Sequence, residues 1–399
     1  MDHAQDARAT AKLTHYRIQD DLVDMSETLS RIPAGMRYYG GREAQVRRAV
    51  EATVISIFAG WSYEEIATPT IDYYSLFEHG MGHSQAHRAF RFSDTDGRML
   101  AIRPDVTSLV ARAAATILTE RPRPLRLCYV APVFRREPQS HAEWRRESNQ
   151  IGCELIGSNN SVSDMELLAI VYEVLQRLGL NRGCSITLND VEVFNGIAEQ
   201  LKLDSAARDE MRELVDTRNT ADLERFLAPY APAEACRDFA RLTQLSGKRE
   251  SLNDARRLLR NARSQAGLDR LEGLWSVIES QQLSDCFEID LGDVSRLDYY
   301  TGLTFRIYVE GAGVRIGSGG RYDGLTASFG KAEPAVGFVF ELDALTELLI
   351  ERAGSILGAE SAPNATRVTG RDLSALFTVA REKRALGERV ILDSSGVAP

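Results

Sequence analysis

The sequence predicts an α+β protein whose core is an antiparallel sheet flanked by helices, and three patterns predict it. Apolar residues alternate along Leu125 to Arg136, a helical apolar period runs from Leu167 to Leu178, and strand character returns beyond residue 285 only after a long stretch of helical texture. Strands gathered in groups, with helices before and between them, distinguish this class from a strict strand–helix alternation.

Taken in order, the first element is a helix. From Glu43 to Phe58 apolar residues fall at Val46, Val50, Val54, Ile57 and Phe58, the spacing of one helix face, and Gly60 follows as a stop. Arg98 to Arg103 reads as a short strand. In Leu125 to Arg136, Leu127, Tyr129, Ala131 and Val133 alternate against Arg126, Cys128 and Val130, and Glu147 to Gly157 supplies an antiparallel partner. The charged stretch Glu137 to Arg146 between them suits an exposed hairpin loop. Ser163 with Glu166 three residues later reads as a capping box, opening a helix that carries Leu167, Ile170, Val171, Val174, Leu175 and Leu178 to Gly179.

From Val193 to Leu283 the chain is rich in Leu, Ala and Arg with few strand signals, which reads as a helical insertion. Strands follow at Cys286 to Leu291, Leu303 to Val309 and Gly313 to Ile316, then an apolar helix from Leu342 to Ile350. The expected organisation is a core over residues 1–350 containing the 193–283 insertion, and a short C-terminal extension, 351–399. In that extension Ser355 to Arg367 reads as a linker, Asp372 to Arg381 as a helix and Arg389 to Leu392 as a strand.

Composition narrows the partners. Of 399 residues 44% are apolar and 26% charged, and a net charge of -9 opposes binding to a polyanion, so nucleic acid is not expected as a partner. The five cysteines are widely spaced and form no C-x-x-C pair, which argues for reduced buried thiols and against a metal site. The first thirty residues hold five aspartates and no long apolar run, unlike a signal peptide, and no stretch approaches the roughly 18 apolar residues of a membrane span. A cytoplasmic location is the expectation.

Five segments carry residue types suited to chemistry. They are Arg103-Pro104-Asp105-Val106-Thr107, Phe134-Arg135-Arg136-Glu137, Asn149 to Glu154, Leu297 to Gly302, and Gly319 to Leu325. Singly, each has a structural explanation: an Arg-Pro-Asp turn ends strands, and glycine-rich loops turn the chain. In this order, with Pro69 upstream and Pro334 to Phe338 downstream, they resemble the catalytic core of class II histidyl-tRNA synthetases from about Ile32 to Ile350.

The resemblance implies a class II aminoacyl-tRNA synthetase-like sheet, a symmetric dimer through Ile32 to Thr70, and a pocket for free histidine. Asp105 and Thr107, with Gln150, would receive the α-ammonium. Glu154 and the hydroxyl of Tyr299 or Tyr300 would face the imidazole, and Arg135 a carboxylate or phosphate.

The departures weigh against adenylate formation, which needs fixed cations around the phosphates. Ser295 stands where the synthetases have arginine, with Arg296 at their glycine. Their last motif, Gly-Phe-x-x-Gly-x-Glu-Arg, becomes Gly337 to Ala344, so the clamping arginine is Ala344 and Glu341 adds a negative charge. Trp144 and Ser148 replace loop residues that sandwich ATP, and 351–399 is too short for the synthetases' anticodon-binding domain.

With these losses the chain resembles the regulatory subunits of ATP phosphoribosyltransferase. The resemblance implies a protein with no catalytic residues and no cofactor, whose partners are a short-form catalytic subunit and L-histidine. It would act as a homodimer within a hetero-oligomer, required for activity and for histidine feedback in the first step of histidine biosynthesis. The alternative is a divergent histidyl-tRNA synthetase using Arg135 and Arg296.

Overall fold

The computed structural model describes residues 31–137, 145–294, 299–356 and 365–393. Two compact units divide between Glu347 and Leu348. In chain order the larger unit holds α1 (Gly41–Gly60), β1 (Glu64–Glu65), β2 (Ile71–Tyr73), α2 (Tyr74–Met81), β3 (Arg91–Ser93), β4 (Met99–Ile102) and α3 (Thr107–Ala115). Then come β5 (Leu125–Phe134), β6 (Glu147–Ile156), α4 (Ser161–Arg177) and β7 (Cys184–Asp190). Between β7 and β9, over the stretch expected as a helical insertion, lie α5 (Val191–Gln200), α6 (Ser205–Asp216), α7 (Thr220–Leu227), α8 (Ala233–Leu242), β8 (Ser246–Gly247), α9 (Arg249–Leu258) and α10 (Ala262–Ser280). The chain returns through β9 (Phe287–Asp290), β10 (Leu303–Val309), β11 (Gly317–Arg321) and β12 (Ala335–Glu341), and the division between the units falls within α11 (Leu342–Ile356).

Nine strands form one sheet in the order β1-β5-β6-β12-β11-β10-β7-β9-β8. The alternation read in Leu125 to Arg136 is realised as a ten-residue antiparallel pairing with β6, from Leu125 opposite Ile156 to Phe134 opposite Glu147. Antiparallel pairing continues through β12, β11, β10 and β7. Within this sheet, among the described residues, the parallel pairs are β1 with β5 and β7 with β9. Val106, Val110 and Ala114 from the α3 region pack with Leu125, Leu127, Tyr129, Val133 and Tyr322 into a closed apolar core.

The structure corrects several local expectations. Helix α4 is capped by Asn160, whose side chain accepts from Ser163 N at 3.1 Å, not by Ser163. Glu166 is drawn away from the helix start because Arg126 grips both its oxygens at 2.8 Å. The strand expected at Gly313 to Ile316 is Gly317–Arg321 instead. Glycine there serves close approach: a Cβ on Gly319 would lie 2.5 Å from the Phe305 ring. Strand β7 carried no recognised signal, although Ile186 and Leu188 are fully buried. Cys184 and Cys286, expected as reduced thiols, are joined in a disulfide at the neck of the insertion, while Cys128, Cys153 and Cys236 are free and buried.

The smaller unit contains β13 (Thr366–Thr369), α12 (Leu373–Ala385) and β14 (Val390–Asp393), the two strands running parallel. Its first strand begins inside the segment expected to be a linker. Among the described residues no helix is long and apolar enough to cross a membrane. Residues 1–30, Trp144 and the departures at Ser295 and Arg296 lie outside the described residues, as do Leu297, Asp298 and most of the expected hairpin loop.

Candidate functional site

All seven residues expected to bind histidine line one cavity of about 400 Å³. Asp105 and Thr107 come from the turn that starts α3, Arg135 from the residue after β5, and Gln150 and Glu154 from one face of β6. Tyr299 and Tyr300 precede β10. The antiparallel ladder brings Gly337 of β12 directly opposite Glu154.

Glu154 is the centre of this cradle. It is 1% exposed, and three hydroxyls reach its carboxylate: Thr107 Oγ1 donates to Oε1 at 2.8 Å, Tyr129 to Oε1 at 3.2 Å, and Tyr322 to Oε2. Burial pushes its pKa up to about 8, against the opposing pull of those hydroxyls. A Cβ at Gly337 would fall 1.6 Å from Glu154 Oε2, so only glycine leaves room for the carboxylate. Tyr299 stacks edge-on with Tyr300 and Tyr322 at 4.8 and 5.6 Å between centroids, and Tyr300 approaches the site of a Gly320 Cβ to 2.6 Å. Burial keeps all three phenols protonated by raising their pKa values.

The remaining polar groups are partly committed. Asp105 Oδ2 accepts from the Ser108 amide at 2.9 Å and its hydroxyl at 2.8 Å, as an N-terminal cap. Because the Thr107 hydroxyl donates to Glu154, it can only accept from an ammonium. Gln150 Nε2 donates to Glu341 Oε1 at 3.0 Å, which leaves the amide carbonyl as its acceptor. Of the cavity's arginines, Arg88 is spent on the Glu137 carbonyl and Gln85, and Arg306 on Asp293 and Asp216. Arg135 donates through Nε to the Pro104 carbonyl at 3.3 Å. Among the described residues no cluster of three His, Cys, Asp or Glu side chains is placed to hold a metal ion.

This arrangement sits on a fold with known relatives. The chain matches the histidyl-tRNA synthetase family over residues 35–345. It is 37% identical to the ATP phosphoribosyltransferase regulatory subunit of Moorella thermoacetica, over 91% of this chain and 92% of that protein. With the regulatory subunit of Desulfitobacterium hafniense the identity is 30%, over 90% and 91%. The chain belongs to the histidyl-tRNA synthetase-like family of ATP phosphoribosyltransferase regulatory subunits. A solved structure described as an ATP phosphoribosyltransferase regulatory subunit/histidyl-tRNA synthetase from Bacillus halodurans superposes with a TM-score of 0.79 at 27% identity, covering 92% of this chain and 96% of the other. Histidyl-tRNA synthetase from Nostoc sp. PCC 7120, at 20% identity and a TM-score of 0.71 over 91% and 86%, shares the fold.

Within this regulatory-subunit family member, Ala344 lies buried in α11, away from the cavity, and Glu341 faces it. Arg103, quoted for its motif, is structural: it donates to the carbonyls of Pro132, Thr68 and Pro69. Arg321 likewise staples Asp164 and Asp323. Sequence reasoning missed Tyr129 and Tyr322. Each lay in a segment already singled out, Tyr129 on the inward face of the alternating strand and Tyr322 inside Gly319 to Leu325, but neither signalled that its hydroxyl meets Glu154.

Proposed function

We propose that this protein is a non-catalytic, histidine-sensing subunit that works in the cytoplasm with a short-form ATP phosphoribosyltransferase catalytic subunit, as a homodimer within a hetero-oligomer. In this role it is required for that subunit's activity and imposes feedback by L-histidine. The names of the relatives support the partnership. The observation that carries the ligand is the buried Glu154 carboxylate, ringed by Thr107, Tyr129 and Tyr322 and closed by Tyr299 and Tyr300. A desolvated carboxylate with aromatic walls favours a compact cationic or proton-sharing ring, and Asp105 with the Gln150 carbonyl favours an ammonium.

The non-catalytic reading rests on the outer edge of the same cavity. A triphosphate there would meet the Glu341 carboxylate, and the arginine that the family resemblance expects three residues on is replaced by Ala344, which lies outside the cavity lining. A regulator must bind its ligand differently in the active and inhibited assemblies, so histidine affinity and catalytic-subunit affinity must be linked. Calorimetry with L-histidine and with ATP separately tests the reading: heat from the first and none from the second is expected, together with co-purification of the short catalytic subunit. ATP–pyrophosphate exchange dependent on histidine would instead identify a synthetase.

A further inference from the structure

The cavity does not end at the amino-acid cradle. Beyond Tyr300 it continues along β10 to Thr304, Arg306 and Tyr308 and reaches Asp293 and Asp216. Asp216 is the last residue of α6, inside the insertion, so the insertion supplies part of the wall. Arg306 joins the two sides: Nε meets Asp293 Oδ1 at 2.6 Å, and Nη2 meets the Val294 carbonyl at 3.1 Å and Asp216 Oδ1 at 3.4 Å. Asp293 is fixed to the sheet, taking the Thr187 hydroxyl at 2.9 Å, while Asn189 donates to its carbonyl at 3.0 Å. Of these three Arg306 contacts the shortest is to Asp293 and the longest to Asp216. Two residues on, Arg218 takes a left-handed backbone (φ 52°) and reaches Asp290 Oδ2 at 2.5 Å.

We infer that the insertion, through Asp216, caps the outer end of the ligand cavity and is held there by Arg306, so that a ligand in the cradle changes how firmly the insertion is seated. The effect of ligand rests on the histidine-sensing reading; the cap itself does not. Arg315 lines the same cavity: burial raises the proton affinities of Asp293 and Tyr300, and its guanidinium opposes both shifts. A ligand against Tyr300 would share one cavity with the charged side chains of Arg315, Asp293, Arg306 and Asp216. Asp216 and Arg306 are positioning residues, and the insertion acquires a role as the part of the molecule that reports occupancy.

Hydrogen–deuterium exchange on the full-length protein tests this, read in α6 and α7 with β5 and β6 as the internal reference, alongside calorimetry with L-histidine. Without ligand, Asp216→Asn is expected to speed exchange in α6 and α7 by about tenfold and leave β5 and β6 unchanged. Histidine is expected to slow α6 exchange in the wild type by about tenfold and to lose that effect in Asp216→Asn, with Asp216→Glu restoring it. A merely structural role would raise exchange equally with and without histidine, and that result overturns the coupling. Unchanged α6 exchange in unliganded Asp216→Asn overturns the cap. Should histidine give no heat while Asp216→Asn still opens α6, the cap stands and the sensing reading fails. Arg306→Met provides a second variant with the same expected pattern.

Discussion

The inner and outer ends of the cavity are built by different physics. At the inner end, Glu154, Tyr322 and Gly337 sit on or beside neighbouring antiparallel strands, and their geometry follows from strand register and close packing. At the outer end, Arg306, Asp293 and Asp216 come from a strand, a loop and an inserted helix, joined by ion pairs whose side chains are 8–23% exposed. The first arrangement is stiff and tolerates no added atom. The second depends on charged side chains and not on strand register. A binding cradle needs the first property and an element that responds to occupancy needs the second.

Substitutions separate the two ends, and the largest effects belong to the inner one. Gly337→Ala puts a methyl group into the Glu154 carboxylate, and overpacking of this kind is expected to lower stability by about 3 kcal/mol in denaturant unfolding. A neutral result there would mean that the cradle is less rigid than the ladder implies. Glu154→Ala strands three hydroxyl donors and removes the charge-assisted contact, so histidine affinity in calorimetry should fall about a hundredfold. Tyr322→Phe deletes one of those donors and should cost about tenfold.

The proton on Glu154 sharpens the contrast further. Its pKa is raised from 4.5 to about 8, so the stability contributed by its neutral form is fully present below the ordinary carboxylate range and is lost as pH rises through about 8. Free imidazole loses its proton near 6.5, so the complex in which one proton is shared between ring and carboxylate is favoured between roughly pH 6.5 and 8. Histidine affinity should therefore peak in that window and fall on both sides. In Glu154→Gln the alkaline fall should disappear, and its persistence would show that another group controls it. The smallest effect is expected at the outer edge: Glu341→Gln keeps a hydrogen bond to Gln150 and should change histidine affinity by less than about threefold.

Much of the inner cradle was legible before the fold was known. Asp105, Gln150 and Glu154 lie in compact segments whose order matched a known family, and they converge on one cavity. The ion-paired outer end was invisible, since nothing near Asp216 or Arg306 in the chain announces that residues 90 positions apart will meet. Tyr129 shows the intermediate case: alternation marked it as inward-facing, but only the approach of β6 shows that its hydroxyl ends on a carboxylate.

Local patterns in the chain were sufficient for the α+β class, the long β5–β6 pairing and the α1 and α4 helices, because periodicity and short motifs are written within a few residues of each other. The cap by Asn160, the glycine strand at Gly317–Arg321, the pairing of Cys184 with Cys286 and the upward shift of the Glu154 pKa were decided by tertiary structure. Each depends on which distant group comes within a few ångströms, or on how completely water is excluded. Those quantities exist only once the sheet has closed.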